Sequence, residues 1–125
     1  MLFRSWVRAE AALALGRIGD EAAIRELSTL LHDPEKDVRI AAIAALGKIR
    51  SREAVPSLIA CLQDPEMDVR IGAAEVLGKT GDLRAYGGLR LLTRDPFTDV
   101  REAAMAAIRR LEKARKKQAR FSENM

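Results

Sequence analysis

The chain has 125 residues, 32% of them charged and 4% aromatic, with one cysteine, one histidine and a formal net charge of +4. That length predicts one domain with a sizeable core, and a single cysteine excludes an internal disulfide. No apolar run approaches the roughly 18–20 residues of a membrane span, and nothing at the start has the pattern of a secretory signal, so the expectation is a soluble, cytoplasmic protein.

In chain order, the first predicted element is a helix around Val7-Arg8, and it opens an incomplete copy of a recurring string. The full string follows as Asp33-Pro34-Glu35-Lys36-Asp37-Val38-Arg39, then Asp64-Pro65-Glu66-Met67-Asp68-Val69-Arg70, then Asp95-Pro96-Phe97-Thr98-Asp99-Val100-Arg101, each 31 residues after the last. A fixed period in this range is the signature of stacked repeats, which act by presenting a surface. The units fall at about 1–19, 20–50, 51–81 and 82–112, with a basic tail over 113–125. Leu2, Phe3 and Trp6 cluster on the first helix. They either seal that end, or join two copies as a homodimer, or mark the tail of a longer solenoid.

Each complete unit reads as two helices. The first runs from about Asp20 to Leu31, Arg52 to Leu62 and Asp82 to Leu92, with Asp20, Ser51 and Asp82 as caps. Leu27, Leu58 and Leu89 share one register, one turn beyond Ile24, Val55 and Tyr86. Pro56 falls in or just past a first turn, where few donors are required. Gly87-Gly88 costs roughly 1 kcal/mol per glycine in a helix, so the third short helix should be the weakest. The second helix of each unit is expected to begin at the Asp-Pro pair, with Asp33 as N-cap, Pro34 in the first position and Glu35 and Asp37 at the positive end of the dipole. Val38, Ala41, Ala42, Ala45, Leu46 and Ile49 then share a face, as do Val69, Gly72, Ala73, Val76 and Leu77, and Val100, Ala103, Ala104, Ala107, Ile108 and Leu111. Gly19 and Gly81 read as helix stops.

With Ala-Ala and Leu-Gly-Lys following it, the Asp-Pro-x-x-Asp-Val-Arg string resembles the HEAT-like repeat of the phycobilisome-lyase type, over about residues 5–112. The resemblance implies an all-α fold: a right-handed α-solenoid of about three and a half two-helix repeats, seven helices in all, with the second helices lining the concave side. It says little about activity, because the repeat occurs in lyase subunits, hydroxylases and plain scaffolds. The hydroxylases hold iron through His-Glu pairs, whereas here His32 is followed by Asp33. No cofactor or metal is expected.

The recurring charges form rows. Arg8, Arg39, Arg70 and Arg101 make one and Asp37, Asp68 and Asp99 another, expected to stack as an Asp–Arg ladder between units. Arg17, Lys48, Lys79 and Arg110 sit near the ends of second helices, either complementing the helix dipole or forming a positive stripe for an acidic partner. Opposite the main apolar face lie Ile40, Ile43, Ile71 and Met105, which are either core or a partner-binding groove together with Lys48 and Lys79. Cys61 occupies a core register position and His32 a surface one. Residues 109–125 carry seven basic groups (Arg109, Arg110, Lys113, Arg115, Lys116, Lys117, Arg120) against two acidic ones, while the preceding 108 residues have a net charge of −1. Basicity therefore belongs to the C-terminal segment.

One histidine and one cysteine leave no Ser-His-Asp or Cys-His set, and no glycine cluster could cradle a phosphate. The leading expectation is a non-catalytic scaffold that binds another protein on its concave face. The alternatives are a partner or chaperone subunit of a bilin-lyase-type enzyme, or nucleic-acid binding through the basic C-terminal segment. The last is disfavoured, since only Phe121 could offer a stacking platform there.

Overall fold

The computed structural model describes residues 3–125. These fold into seven α-helices: α1 (Ser5–Ile18), α2 (Glu21–Leu30), α3 (Lys36–Ile49), α4 (Val55–Ala60), α5 (Met67–Thr80), α6 (Tyr86–Leu92) and α7 (Thr98–Glu123). Short 3₁₀ turns, Cys61–Gln63 and Leu83–Ala85, extend α4 and precede α6. Among the described residues there is no strand, and no helix is long and apolar enough to cross a membrane.

The helices form two layers. α1, α3, α5 and α7 pack side by side in sequence, and α2, α4 and α6 lean on them from one side. The first layer is tight because a glycine sits at each crossing. A Cβ on Gly16 would lie 2.8 Å from Ala45 Cβ, one on Gly47 2.9 Å from Val76 Cγ2, and one on Gly78 2.9 Å from Ala107 Cα. The shorter helices of the other layer meet each other mainly through the 3₁₀ turns. Close approach in one layer and loose approach in the other stack the helix pairs into a helical solenoid.

The core runs between the layers. Val38, Ala42, Ala45 and Leu46 are buried, as are their counterparts Val69, Ala73, Val76 and Leu77, and Val100, Ala104, Ala107 and Leu111. Leu27, Leu58 and Leu89 meet them from the first helices, each at most 1% exposed. Cys61 is buried too, and removal from water pushes its thiol up to about 11, with Asp64 adding to the effect.

Boundaries differ from the sequence expectation in both kinds of helix. α4 and α6 begin at Val55 and Tyr86 rather than at Arg52 and Asp82, and their N-caps Ala54 and Ala85 make no side-chain cap bond. Ser51, expected as a cap, accepts the Glu53 N–H at 3.2 Å in the loop ahead of α4. The second helices begin at Lys36, Met67 and Thr98, three residues after each Asp, and their N-caps Glu35, Glu66 and Phe97 make no side-chain cap bond. Asp33, Asp64 and Asp95 instead accept the backbone N–H two residues on, at 2.9, 2.9 and 3.0 Å, and so fix the loop ahead of the helix. The expected start was displaced because the carboxylate has a second role, in the seam described below. The basic C-terminal segment continues the last helix, since α7 runs unbroken through Glu123.

Asp20 caps α2 by accepting the Ala23 N–H at 2.8 Å. Asp82 accepts the Arg84 N–H at 3.0 Å and also pairs with the Arg84 guanidinium at 2.8 Å. The guanidinium contact, helped by the backbone N–H, outweighs the effect of burial and holds Asp82 down to about 2.

Candidate interaction surface

The constant 31-residue spacing of the string builds a seam between successive units of the solenoid. Arg8 Nε donates to Asp33 Oδ1 at 2.7 Å, Arg39 Nε to Asp64 Oδ2 at 2.9 Å, and Arg70 Nε to Asp95 Oδ1 at 2.8 Å. Each pair spans 25 residues, from one unit to the next, and Nη2 donates to the second carboxylate oxygen at 2.9, 3.2 and 3.2 Å. The remaining Nη1 of Arg39 and Arg70 donates to a backbone carbonyl in its own unit, Asp33 at 2.7 Å and Asp64 at 2.8 Å. One arginine thus ties two consecutive loops by two-point carboxylate contact plus a carbonyl. Arg70 further lies 6.0 Å from the Phe97 ring centroid. Arg101 donates to the Asp95 carbonyl at 2.7 Å and to Thr98 Oγ1 at 2.9 Å.

The ladder partners are therefore Asp33, Asp64 and Asp95, not Asp37, Asp68 and Asp99. The reason is directional: residues two apart on a helix do not share a face, so Asp37 cannot stand beside Arg39's row, whereas the Asp-Pro loops lie in the seam itself. Asp37, Asp68 and Asp99 are exposed. Asp68 has a loose contact with Lys36 at 3.9 Å, and Asp99 faces the groove described next. The Arg8 hydrogen bond pulls the Asp33 carboxyl below the usual range and raises Arg8 in turn. Burial works against the ionised form of Asp95, but the contacts from Arg70 and the Phe97 N–H outweigh it and lower that group as well.

On the second-helix side, two grooves run between adjacent helices. The α3–α5 groove is lined by Ile40, Ala44, Lys48, Arg50, Glu75 and Lys79. The α5–α7 groove is lined by Ile71, Glu75, Lys79, Asp99, Glu102 and Arg110 among others. Lys79 belongs to both. Arg110 continues into a third, shallower surface with Arg109, Lys113 and Lys116 on α7. Among the described residues, none of Lys48, Lys79, Arg110, Lys113 or Lys116 stands within ion-pair distance of a carboxylate.

The predicted groove residues divide. Ile40 and Ile71 are half-buried and line the grooves. Ile43 also touches the α3–α5 groove, but at 2% exposed it belongs to the core rather than to the accessible surface. Its register is that of Ala12 and Ala74, both fully buried between neighbouring second helices. Met105 has the same register but is 42% exposed, because among the described residues no helix follows α7 to cover that face. Arg115, Lys117 and Arg120 are exposed on the last turns of α7, where Arg115 borders a small pocket with Leu83, Tyr86 and Leu111. Leu2 lies outside the described residues; Phe3 and Trp6 are 61% and 65% exposed.

Sequence reasoning missed Arg50, Glu75 and Glu102 as groove residues. The signal was present in the register, since Glu75 precedes Lys79 by one turn and Arg50 stands where the other units have Gly19 and Gly81. His32 is exposed, Asp33 beside it is held by Arg8, and among the described residues no three His, Cys, Asp or Glu side chains converge on a metal position.

A solenoid of helix pairs tied by an inter-unit arginine seam defines the class. The sequence matches HEAT repeats over residues 24–109 and the PBS lyase HEAT-like repeat over residues 7–33. The chain belongs to the HEAT-repeat family, with repeats of the PBS lyase type. Among solved structures it is similar to human deoxyhypusine hydroxylase in complex with glycerol, at 29% identity and a TM-score of 0.81 over 94% of this chain and 41% of that one. It is also similar to the complex of CpcE and CpcF of phycocyanin lyase from Nostoc sp. PCC7120, at 31% identity and a TM-score of 0.73 over 83% of this chain and 47% of that one. An engineered protein at 22% identity, with a TM-score of 0.65 over 91% of this chain and 60% of its own, shares the fold alone. The chain thus spans less than half the length of the hydroxylase and lyase chains. No curated protein matches the sequence.

Proposed function

We propose that this chain is a non-catalytic HEAT-like scaffold that binds another protein along its second-helix face. Ile40, Ile71, Lys48 and Lys79 contribute contacts and Met105 marks the edge of the surface. The observation that carries this reading is the pair of open grooves in which a partly exposed isoleucine stands beside unpaired lysines. Apolar surface with a charged rim is how protein interfaces are built, and helices with no convergent catalytic set have no comparable use for it.

Affinity capture from native lysate tests the reading with three proteins: the wild type, Ile40→Glu/Ile71→Glu, and a chain shortened by residues 116–125. The deletion starts there because Leu111 is fully buried, so a cut further upstream would open the core. The groove reading predicts the same captured proteins with wild type and deletion, and their loss with the double substitution. Retention by the double substitution, or loss on deletion alone, would contradict it.

A second reading is favoured by the likeness to the CpcE and CpcF complex: the chain would serve as the partner or chaperone subunit of a lyase-type enzyme. Its captured partner would then itself be a repeat protein of this family. Nucleic-acid binding by α7 is the third. Arg109, Lys113, Lys116 and Arg120 share a face of that helix, and such binding would fall steeply with salt.

A further inference from the structure

The backbone of Arg50 is the one place where the repeat adopts a costly conformation. Gly19, Arg50 and Gly81 occupy equivalent positions at the ends of α1, α3 and α5, and all three are left-handed, with φ of 69°, 56° and 73°. Arg50 is the only non-glycine residue with positive φ among those described. A side chain there is disfavoured relative to glycine. Among the described residues its guanidinium makes no ion pair that would compensate, and it lines the α3–α5 groove together with Lys48 and Lys79. Strain held at a cleft without local compensation points to use rather than to stability.

We propose that Arg50, Lys48, Lys79 and Arg110 form a cationic track that receives the carboxylates of an acidic protein segment lying across the second helices. The inference rests on the protein-binding reading above and names the chemistry of the partner. Arginines of the seam are already committed to Asp33, Asp64 and Asp95, whereas the track cations are unpaired. Neighbouring packed helices lie about 8–10 Å apart, so Lys48, Lys79 and Arg110 recur at about that interval. Seven residues of a helix advance about 10.5 Å. The track therefore suits carboxylates at every seventh position of a helical partner. Ile40 and Ile71 beside it receive apolar side chains between those carboxylates. Glu75, Asp99 and Glu102 in the same grooves repel any anion placed beside them and so break the positive charge into separate spots, which suits spaced carboxylates with neutral residues between them better than the unbroken charge of a phosphate backbone.

The test uses fluorescence anisotropy with the full chain and designed helical peptides. One carries Glu at every seventh position with Leu between; another has the same composition scrambled; a third has Lys in place of Glu. A single-stranded oligothymidylate is the fourth probe. The expectation is that the regular Glu peptide binds at least about tenfold more tightly than the scrambled one. Lys48→Glu/Lys79→Glu/Arg110→Glu abolishes that binding and gains affinity for the Lys peptide. Because acidic residues at helix C-termini cost stability, Lys48→Gln/Lys79→Gln/Arg110→Gln serves as a second variant, with the same loss expected and helicity retained. Arg50→Gly should weaken the Glu peptide several-fold while raising Tm by about 4 °C, a trade-off that a purely structural arginine would not show. Equal binding of the scrambled peptide, no binding of any peptide, tighter binding of the oligothymidylate, or undiminished binding by the Gln variant would each overturn the track. If the Gln variant binds normally but Ile40→Glu/Ile71→Glu does not, the groove stands and only the track falls. If neither substitution matters, both fall.

Discussion

Arg39 clamps Asp64 across a unit boundary, Nε to Oδ2 at 2.9 Å and Nη2 to Oδ1 at 3.2 Å, while Asp64 also accepts the N–H of Glu66 at 2.9 Å. The side chains are only 12% and 9% exposed. One carboxylate therefore holds both the joint between repeats and the loop that launches α5. Breaking one partner of such a pair leaves a desolvated charge. Asp64→Ala should cost about 3 kcal/mol, whereas Asp68→Ala, at an exposed site, should change stability by less than about 0.5 kcal/mol. Urea denaturation of both variants checks the contrast, and a double-mutant cycle of Arg39→Ala with Asp64→Ala isolates the pair.

The glycines separate by what a methyl group would meet. Gly78→Ala drives a Cβ to 2.9 Å from the Ala107 backbone, and the overpacking, typically about 1–3 kcal/mol, exceeds the helix-propensity gain of about 1 kcal/mol. Gly87→Ala meets nothing within 4 Å and should stabilise the chain by about 0.5–1 kcal/mol. Thermal unfolding should shift in opposite directions for the two.

Ile40 and Ile43 are three residues apart and predict different outcomes. Ile43 is 2% exposed, so Ile43→Glu buries a charge and should unfold the chain. Ile40→Glu, on a groove wall, should leave the helical circular dichroism intact. A folded Ile43→Glu would refute the core assignment.

Acid should loosen both the seam and the Asp82–Arg84 contact ahead of α6. Asp33, Asp82 and Asp95 have carboxyls lowered in the folded state, so the native state holds fewer protons than the unfolded chain in that range. Their stabilisation is complete above the ordinary aspartate value of about 4 and is lost as pH falls through the folded values, which for Asp82 means about 2. Stability measured by urea titration should be flat with respect to these groups from neutral pH to about 5 and fall below about 4, with a shallower fall in Asp82→Asn.

Cys61 should react with a thiol reagent only when the chain opens, because it is buried and its thiol is pushed up to about 11. Fast labelling of the native protein at neutral pH would contradict its place in the core.

The architecture was legible because the 31-residue period repeats its core register in every copy, and Val38, Val69 and Val100 are all fully buried. The seam was half legible: the arginine row was apparent, but the string offers two aspartates per copy, and spacing alone does not say which reaches back 25 residues. Only the loop geometry selects Asp33 over Asp37. Ile43 was ambiguous because a helix apolar all round can be wedged or exposed, and its fate depends on how closely Gly47 lets α5 approach. Arg50 could not be recognised as strained without the backbone angle, although its alignment with Gly19 and Gly81 marked it as irregular.

The central claim is that the second-helix face, and not the first-helix face, meets the partner. A photo-crosslinking amino acid placed at Ile40 or Ile71, and separately at exposed Leu91 on α6, tests it most directly in native lysate. The account predicts discrete protein adducts from positions 40 and 71 and none from 91. Adducts from position 91 alone would contradict it.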